Sequence, residues 1–184
     1  MRKRLIVTIA ATLFALNGTM AQAAQTPTSE QGYTLEEATI SQLIDANGAT
    51  IGQVVVAPSE GGVAGMVLVQ GLEPGDHGIH LHSVGTCDPA LEKPFDSAGS
   101  HFNPGSMHHG MHAGDLGNLT IDADGDGAYL FGSGTLTLDD GLFGLADADG
   151  TALVIHETVD DLMTDPSGNS GSRIACAVLF APQS

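Results

Sequence analysis

From position 38 onward the chain never sustains an apolar pattern of helical period. It is written instead as short β-rich runs set apart by turn residues. ATISQLI and TIGQVVVA, separated by Asp45, Asn47 and Gly48, read as a hairpin. VAGMVLVQGL, HGIHLH, GNLTI, AYLFGSGTLTL, TALVIHE and IACAVLF follow, giving eight strand candidates. Gly is 25 of 184 residues and falls mostly between these runs, where turns use its backbone freedom. Eight short strands in one small domain predict an all-β fold: an eight-stranded antiparallel Greek-key sandwich or barrel. Two stretches break the rhythm, a long loop over 83–113 and a shorter one over 157–172. Loops of that length in a compact domain are usually functional.

Ahead of the strands, Arg2, Lys3 and Arg4 precede an apolar run over 5–16, and Ala21 and Ala23 supply the small residues a signal peptidase needs. Residues 1–23 therefore predict a secretory signal peptide; the apolar run is short of the ~20 residues that span a bilayer. Residues 24–37 read as a polar, flexible mature N-terminus, and 38–182 as the domain. Past the leader only Lys93 and Arg173 oppose 22 Asp and Glu, and the whole chain carries a formal charge of −17. A surface of that sign repels nucleic acid and anionic lipid, which excludes both as partners once the leader is removed. An apolar content of 42% argues for a packed core over disorder. The two cysteines, Cys87 and Cys176, predict one disulfide in an exported chain.

The histidines are unevenly placed. His80 and His82 stand two apart in a strand candidate, so they project from one face while Ile79 and Leu81 point into the core. Such a pair alone is a weak signal. The following loop adds His101, His108, His109, His112 and Asp115, and another strand candidate ends on His156. His112 and Asp115, at i and i+3 around small residues, can meet one ion from a tight turn. Neutral imidazole is the commonest metal ligand, so this density points to a metal centre.

The motifs GLEPGDHGIHLHSVG, SAGSHFNP, HAGDLGN, VIHETVDDL and GSRIACAV, in this order from about Ala38 to Phe180, resemble the copper/zinc superoxide dismutases. The resemblance implies dismutation of superoxide to oxygen and hydrogen peroxide by a redox-cycling copper, bridged through a histidine to a structural zinc. It implies His80, His82, His101 and His156 as copper ligands, and His101, His109, His112 and Asp115 as zinc ligands. Asp160 takes the place of the carboxylate joining a copper ligand to a zinc ligand. Arg173 takes the place of the arginine that guides the superoxide anion, making Arg173 and His101 the catalytic residues. Cys87 and Cys176 match the family disulfide, and His77 a structural histidine. His108 has no family role and reads as a solvated loop residue. Only two residues separate His109 from His112, however, and this short spacing leaves His108 open as an alternative ligand. The donor types agree with the assignment: four imidazoles suit Cu(II), and three imidazoles with a carboxylate suit zinc.

Two features set the chain apart from the animal members. The stretch LMTDPSGNSGSR after Asp161 lacks the lysine and glutamates they use to steer substrate, and the Cys87-to-His101 spacing follows the bacterial members. The animal dimer interface is therefore not assumed, and a homodimer is left open. With the leader, the bacterial spacing predicts a periplasmic or secreted protein. A non-enzymatic copper-delivery or zinc-storage domain on the same fold is the alternative. Asp122, Asp124 and Asp126 copy the opening of an EF-hand loop, but its twelfth position is Ser133 in place of a bidentate Glu. This stretch reads as a hairpin turn, and Asp147 to Gly150 as another turn.

Overall fold

The computed structural model describes residues 38–183; the predicted leader and the 24–37 segment lie outside the described residues. Eight strands follow one another: β1 (Thr39–Asp45), β2 (Thr50–Ser59), β3 (Gly62–Val69), β4 (Gly75–His82), β5 (Asp115–Ile121), β6 (Gly127–Ser133), β7 (Thr151–His156) and β8 (Arg173–Phe180). All pairings are antiparallel, in the order β5-β4-β7-β8-β1-β2-β3-β6. The terminal strands of that order, β5 and β6, approach each other where the Tyr129 hydroxyl donates to Leu116 O. The all-β expectation holds, and the sheet curls into a nearly closed barrel. Among the described residues no helix is long and apolar enough to cross a membrane.

The order explains the Greek key. β3 connects to β4, and β6 to β7, by crossing over the β5–β6 closure instead of pairing with the next strand. The β1–β8 ladder contains only Ile44 with Cys176 and Asp45 with Ala175. The barrel is therefore flattened into two four-stranded halves, β5-β4-β7-β8 and β1-β2-β3-β6. Between them lie Leu43, Val54, Val67, Ile79, Leu81 and Leu153, all fully buried. Each such side chain is worth roughly 1.5–3 kcal/mol relative to exposure.

A second, smaller core forms outside the barrel. Phe95 and Ala98, from the long loop after β4, cover Ala152, Val154 and Cys176 on the outer face of β7 and β8. This is why β7 is buried at every position and why its sequence lacks polar alternation. Cys87 and Cys176 form a disulfide with their Cα atoms 5.8 Å apart, tying that loop to β8.

Two readings need correction. The sixth strand candidate ends at Ser133, because the Ser133 hydroxyl accepts from Thr135 N and Leu136 N and turns the chain out of the ladder. Residues 134–150 are thus a third long connection, with only an isolated bridge between Thr137 and Gly144. The Asp122 turn does form: its carboxylate accepts from Asp124 N and Asp126 N. The strands it joins, β5 and β6, do not form a ladder with each other, so it closes the barrel end and is not a hairpin turn.

Candidate metal centre

β4 supplies the first two histidines. Ile79 and Leu81 enter the barrel core, while His80 and His82 emerge on the outer face, both fully buried beneath the loops. β7 pairs with β4 and ends on His156. Two register steps bring in the remaining groups. Ile79 faces Gly117 on β5, but His80 faces Asp115; Gly117 makes the step at φ 96°, a conformation glycine adopts freely. Ile155 faces Ala175 on β8, but His156 faces Arg173. The loop then returns His101 beside His82 through an isolated antiparallel bridge.

Two clusters result. His80, His82, His101 and His156 offer ring nitrogens lying within 4.8 Å of one another, as do the donor atoms of His101, His109, His112 and Asp115. In the second cluster, Asp115 Oδ1 lies 3.0 Å from His101 Nδ1, 3.4 Å from His109 Nδ1 and 3.1 Å from His112 Nδ1. Asp115 Oδ2 is occupied by Gly110 N and His112 N. His101 belongs to both sets, and its ring stacks on His80 with centroids 3.9 Å apart.

Acceptor-only partners assign the tautomers. Asp160 accepts His80 Nε2–H on Oδ2 and His109 Nε2–H on Oδ1, each at 2.8 Å. His82 donates Nδ1–H to Gly99 O, and His156 donates Nδ1–H to Gly171 O. The lone pairs left over are His80 Nδ1, His109 Nδ1, and the Nε2 atoms of His82 and His156. The last two face each other across 3.4 Å. His80 Nδ1, His101 Nε2 and His109 Nδ1 are buried without a hydrogen-bond partner. Buried orphan acceptors cost roughly 1–3 kcal/mol each, and a cation among them removes that penalty. The residues present therefore fit two metal ions sharing His101.

Electrostatics keeps these groups in ligating form. Burial, reinforced by the His101 and His156 rings, pushes His80 down to about 2. Burial and then the Arg173 charge hold His82 well below the usual imidazole range, and burial takes His156 down to about 4. Burial opposes ionisation of Asp115, but the His101 hydrogen bond and the His112 backbone N–H outweigh it and hold the carboxyl at about 2. A pH dependence follows for the metal-free protein. Its unfolded chain binds a proton at His156 near pH 6.5, which the folded chain refuses until about 4. This contribution to stability is complete above pH 6.5 and is lost as pH falls towards 4, by about 3 kcal/mol for His156. Urea midpoints of metal-stripped protein are expected to fall between pH 7 and pH 4.5; equal midpoints contradict the neutral buried imidazoles.

His77 spans from Glu73 O to His156 O at 2.9 and 2.8 Å, anchoring the end of β7. His108 is 85% exposed and pairs with Asp165, whereas the His109 side chain is fully buried in the cluster. Among the described residues it is His109, and not His108, that stands in the cluster. Arg173 donates from Nη1 to Phe95 O and from Nη2 to Gly99 O, at 2.5 and 2.6 Å. Gly99 O thus holds both Arg173 and His82.

Four residues were not singled out from the sequence. Asn118 clamps Asp160, its Oδ1 accepting Asp160 N and its Nδ2 donating to Asp160 O. Its place in HAGDLGN was the only signal. Asp165 sorts the adjacent histidines by accepting His108 Nδ1 on Oδ2 and His109 N on Oδ1. Gly168, at φ 63°, passes so close to the site that a Cβ there would overlap Asp160 Oδ1 and His109 Nε2. Gly99 acts through its carbonyl, which no side-chain pattern reveals.

Comparisons with known proteins agree with this architecture. Residues 50–179 match the family described as copper/zinc superoxide dismutase (SODC). The chain is 36% identical over 155 residues to Superoxide dismutase [Cu-Zn] of Deinococcus radiodurans, covering 77% of this chain and 83% of that one. It is 38% identical over 123 residues to Copper chaperone for superoxide dismutase of Sus scrofa, covering 60% of this chain and 41% of that one. A crystal structure of a double mutant of a SOD-like protein from Bacillus subtilis superposes with a TM-score of 0.72 at 37% identity, covering 77% of this chain and 97% of that one. An eight-stranded Greek-key barrel with a twin histidine cluster on its outer face defines a class of metal-binding β-barrels. Within that class, the chain belongs to the copper/zinc superoxide dismutase family.

Proposed function

We propose that this chain is a superoxide dismutase, with copper held by His80, His82, His101 and His156, and zinc by His101, His109, His112 and Asp115. The observation that carries the reading is the placement of His101: its Nδ1 turns to Asp115 and its Nε2 is buried without a partner in the all-imidazole set. Copper held by the first set would supply a one-electron redox couple, and zinc held by the second, which has no redox chemistry, would supply a fixed positive charge beside it. Asp160 keeps His80 and His109 in the tautomers that leave Nδ1 free. His101 Nε2 is the atom suited to hold a proton and release it to a reduced product.

The substrate is an anion and the chain is acidic, so attraction has to be local. Beyond the leader the chain has two basic side chains, and one of them, Arg173, stands opposite His156 in the β7–β8 register. Two of its five N–H donors are used by Phe95 O and Gly99 O, and Asp96 Oδ1 stands 4.0 Å from Nη2, where a substrate anion would compete with it. Arg173→Ala is expected to slow superoxide consumption about tenfold or more at low ionic strength. It should also flatten the salt dependence at unchanged metal content. Pulse radiolysis across a salt series measures both, and an unchanged rate removes Arg173 from the mechanism.

A copper-delivery or zinc-storage domain is the second reading, favoured by the similarity to a copper chaperone. The arginine beside the all-imidazole set supports turnover over storage, since storage has no use for anion capture. Elemental analysis alongside a dismutation assay separates the two. The parent should bind both metals and turn over, and His156→Ala should stay folded and be inactive. Stoichiometric metal without superoxide consumption would establish storage. The Cys87–Cys176 disulfide and the leader support an exported, periplasmic or secreted location.

A further inference from the structure

The metal loops carry one set of side chains that the proposed function does not use. Four methionines lie among the described residues. Met66 belongs to β3. Met107, Met111 and Met163 are 48, 59 and 81% exposed, and all three lie on the two loops that supply site residues. Met107 and Met111 line one cavity of about 350 Å³ whose wall also includes His112 and Asp115. Met107 also lines the neighbouring cavity of about 820 Å³ that reaches His101.

Their backbones are held in place. Asn103 Nδ2 donates to Met107 O at 2.8 Å while Asn103 Oδ1 accepts Met107 N at 2.9 Å. Met111 N donates to His108 O at 3.1 Å, closing the turn between them. A cavity of that volume is only about 9 Å across, and methionine's three rotatable bonds let two side chains bordering it bring their sulfurs together. The exposed thioethers add little to packing. As soft ligands they select Cu(I) over zinc, calcium or magnesium.

We propose that Met107 and Met111 form a surface site for a cuprous ion, at the mouth of the cavity they share, and that copper captured there passes to the buried histidines by way of His101, which lines the neighbouring cavity that Met107 also borders. The transfer is ligand exchange alone. Copper stays Cu(I), its contacts to sulfur are replaced by contacts to imidazole lone pairs, and no electron moves. Capture rests on the thioethers and does not depend on dismutase activity, so the two can fail separately.

The test uses protein already loaded with copper and zinc, kept anaerobic with ascorbate and titrated with Cu(I) against a chromophoric Cu(I) chelator. The parent should bind a further cuprous ion, with sulfur scattering at copper in X-ray absorption. M107L/M111L should bind it at least about tenfold more weakly, with unchanged superoxide consumption. Met163 borders neither cavity, so M163L should match the parent. In a second assay, metal-stripped M107L/M111L should take up Cu(I) several-fold more slowly than the parent and reach the same final copper content. Absence of the further ion, copper bound only by nitrogen or oxygen, or equal binding by the double variant overturns the site. Equal uptake rates overturn its role in delivery.

Discussion

A His101→Ala protein is expected to lose copper and zinc together, and to consume superoxide more than about a hundredfold more slowly than the parent. Outer partners of metal ligands already cost roughly 10–100-fold in affinity or activity, and His101 is a donor in both clusters. Its loss also removes the ring stacked on His80 and one of the imidazoles that meet Asp115 Oδ1. The fold should survive, because the main-chain contacts of this segment, Ser83 N to Ser100 O and Phe102 N to Leu81 O, do not involve the imidazole. The contrast with His156→Ala is diagnostic. His156 belongs to the first cluster alone, so that variant should lose copper and keep zinc. Elemental analysis of both proteins after equal metal loading, with circular dichroism as the check on folding, decides the matter. Full zinc occupancy in His101→Ala would refute the shared ligand.

How much of this centre could be read in advance depends on how local its geometry is. His80 and His82 were legible because a strand alternates faces, and the core positions of Ile79 and Leu81 fix which face they take. The meeting of β4 with the 101–115 loop and with His156 is a consequence of Greek-key topology, which no local pattern encodes; only the family resemblance anticipated it. The opposite placement of His108 and His109, one exposed and one buried in the cluster, involves Asp165, 57 and 56 residues away, through contacts to the His108 ring and the His109 backbone. Thr135 to Leu138 alternates like a strand, but the Ser133 hydroxyl ahead of it outweighs that pattern and ends β6. Apolar identity alone does not mark the inside either: Ile40 on β1 and Leu130 on β6 are 68 and 77% exposed.

Removing the disulfide is expected to lower stability by about 4–5 kcal/mol, the chain-entropy value for two residues 89 apart in sequence. For a domain of this size that corresponds to a melting point about 10–15 °C lower. The double variant C87S/C176S, which leaves no thiol to mispair, is the protein to melt beside the parent. The loss should reach the site as well. The Cys87–Cys176 bond pins the loop that carries Phe95 and Ala98 onto β7 and β8. The same loop presents the two carbonyls, Phe95 O and Gly99 O, that hold the Arg173 guanidinium. Gly99 O also orients His82, but His82 is fixed independently by its place in β4, whereas Arg173 begins β8 and takes its side-chain hydrogen bonds from the loop. With the loop loosened at temperatures where the barrel is still folded, anion capture should therefore suffer before metal binding does. The expected signature is a slower, less salt-sensitive reaction at unchanged copper and zinc content. A variant that melts with the parent, or whose rate falls only in step with its metal content, would show that the loop is held by its buried Phe95 and not by the covalent link.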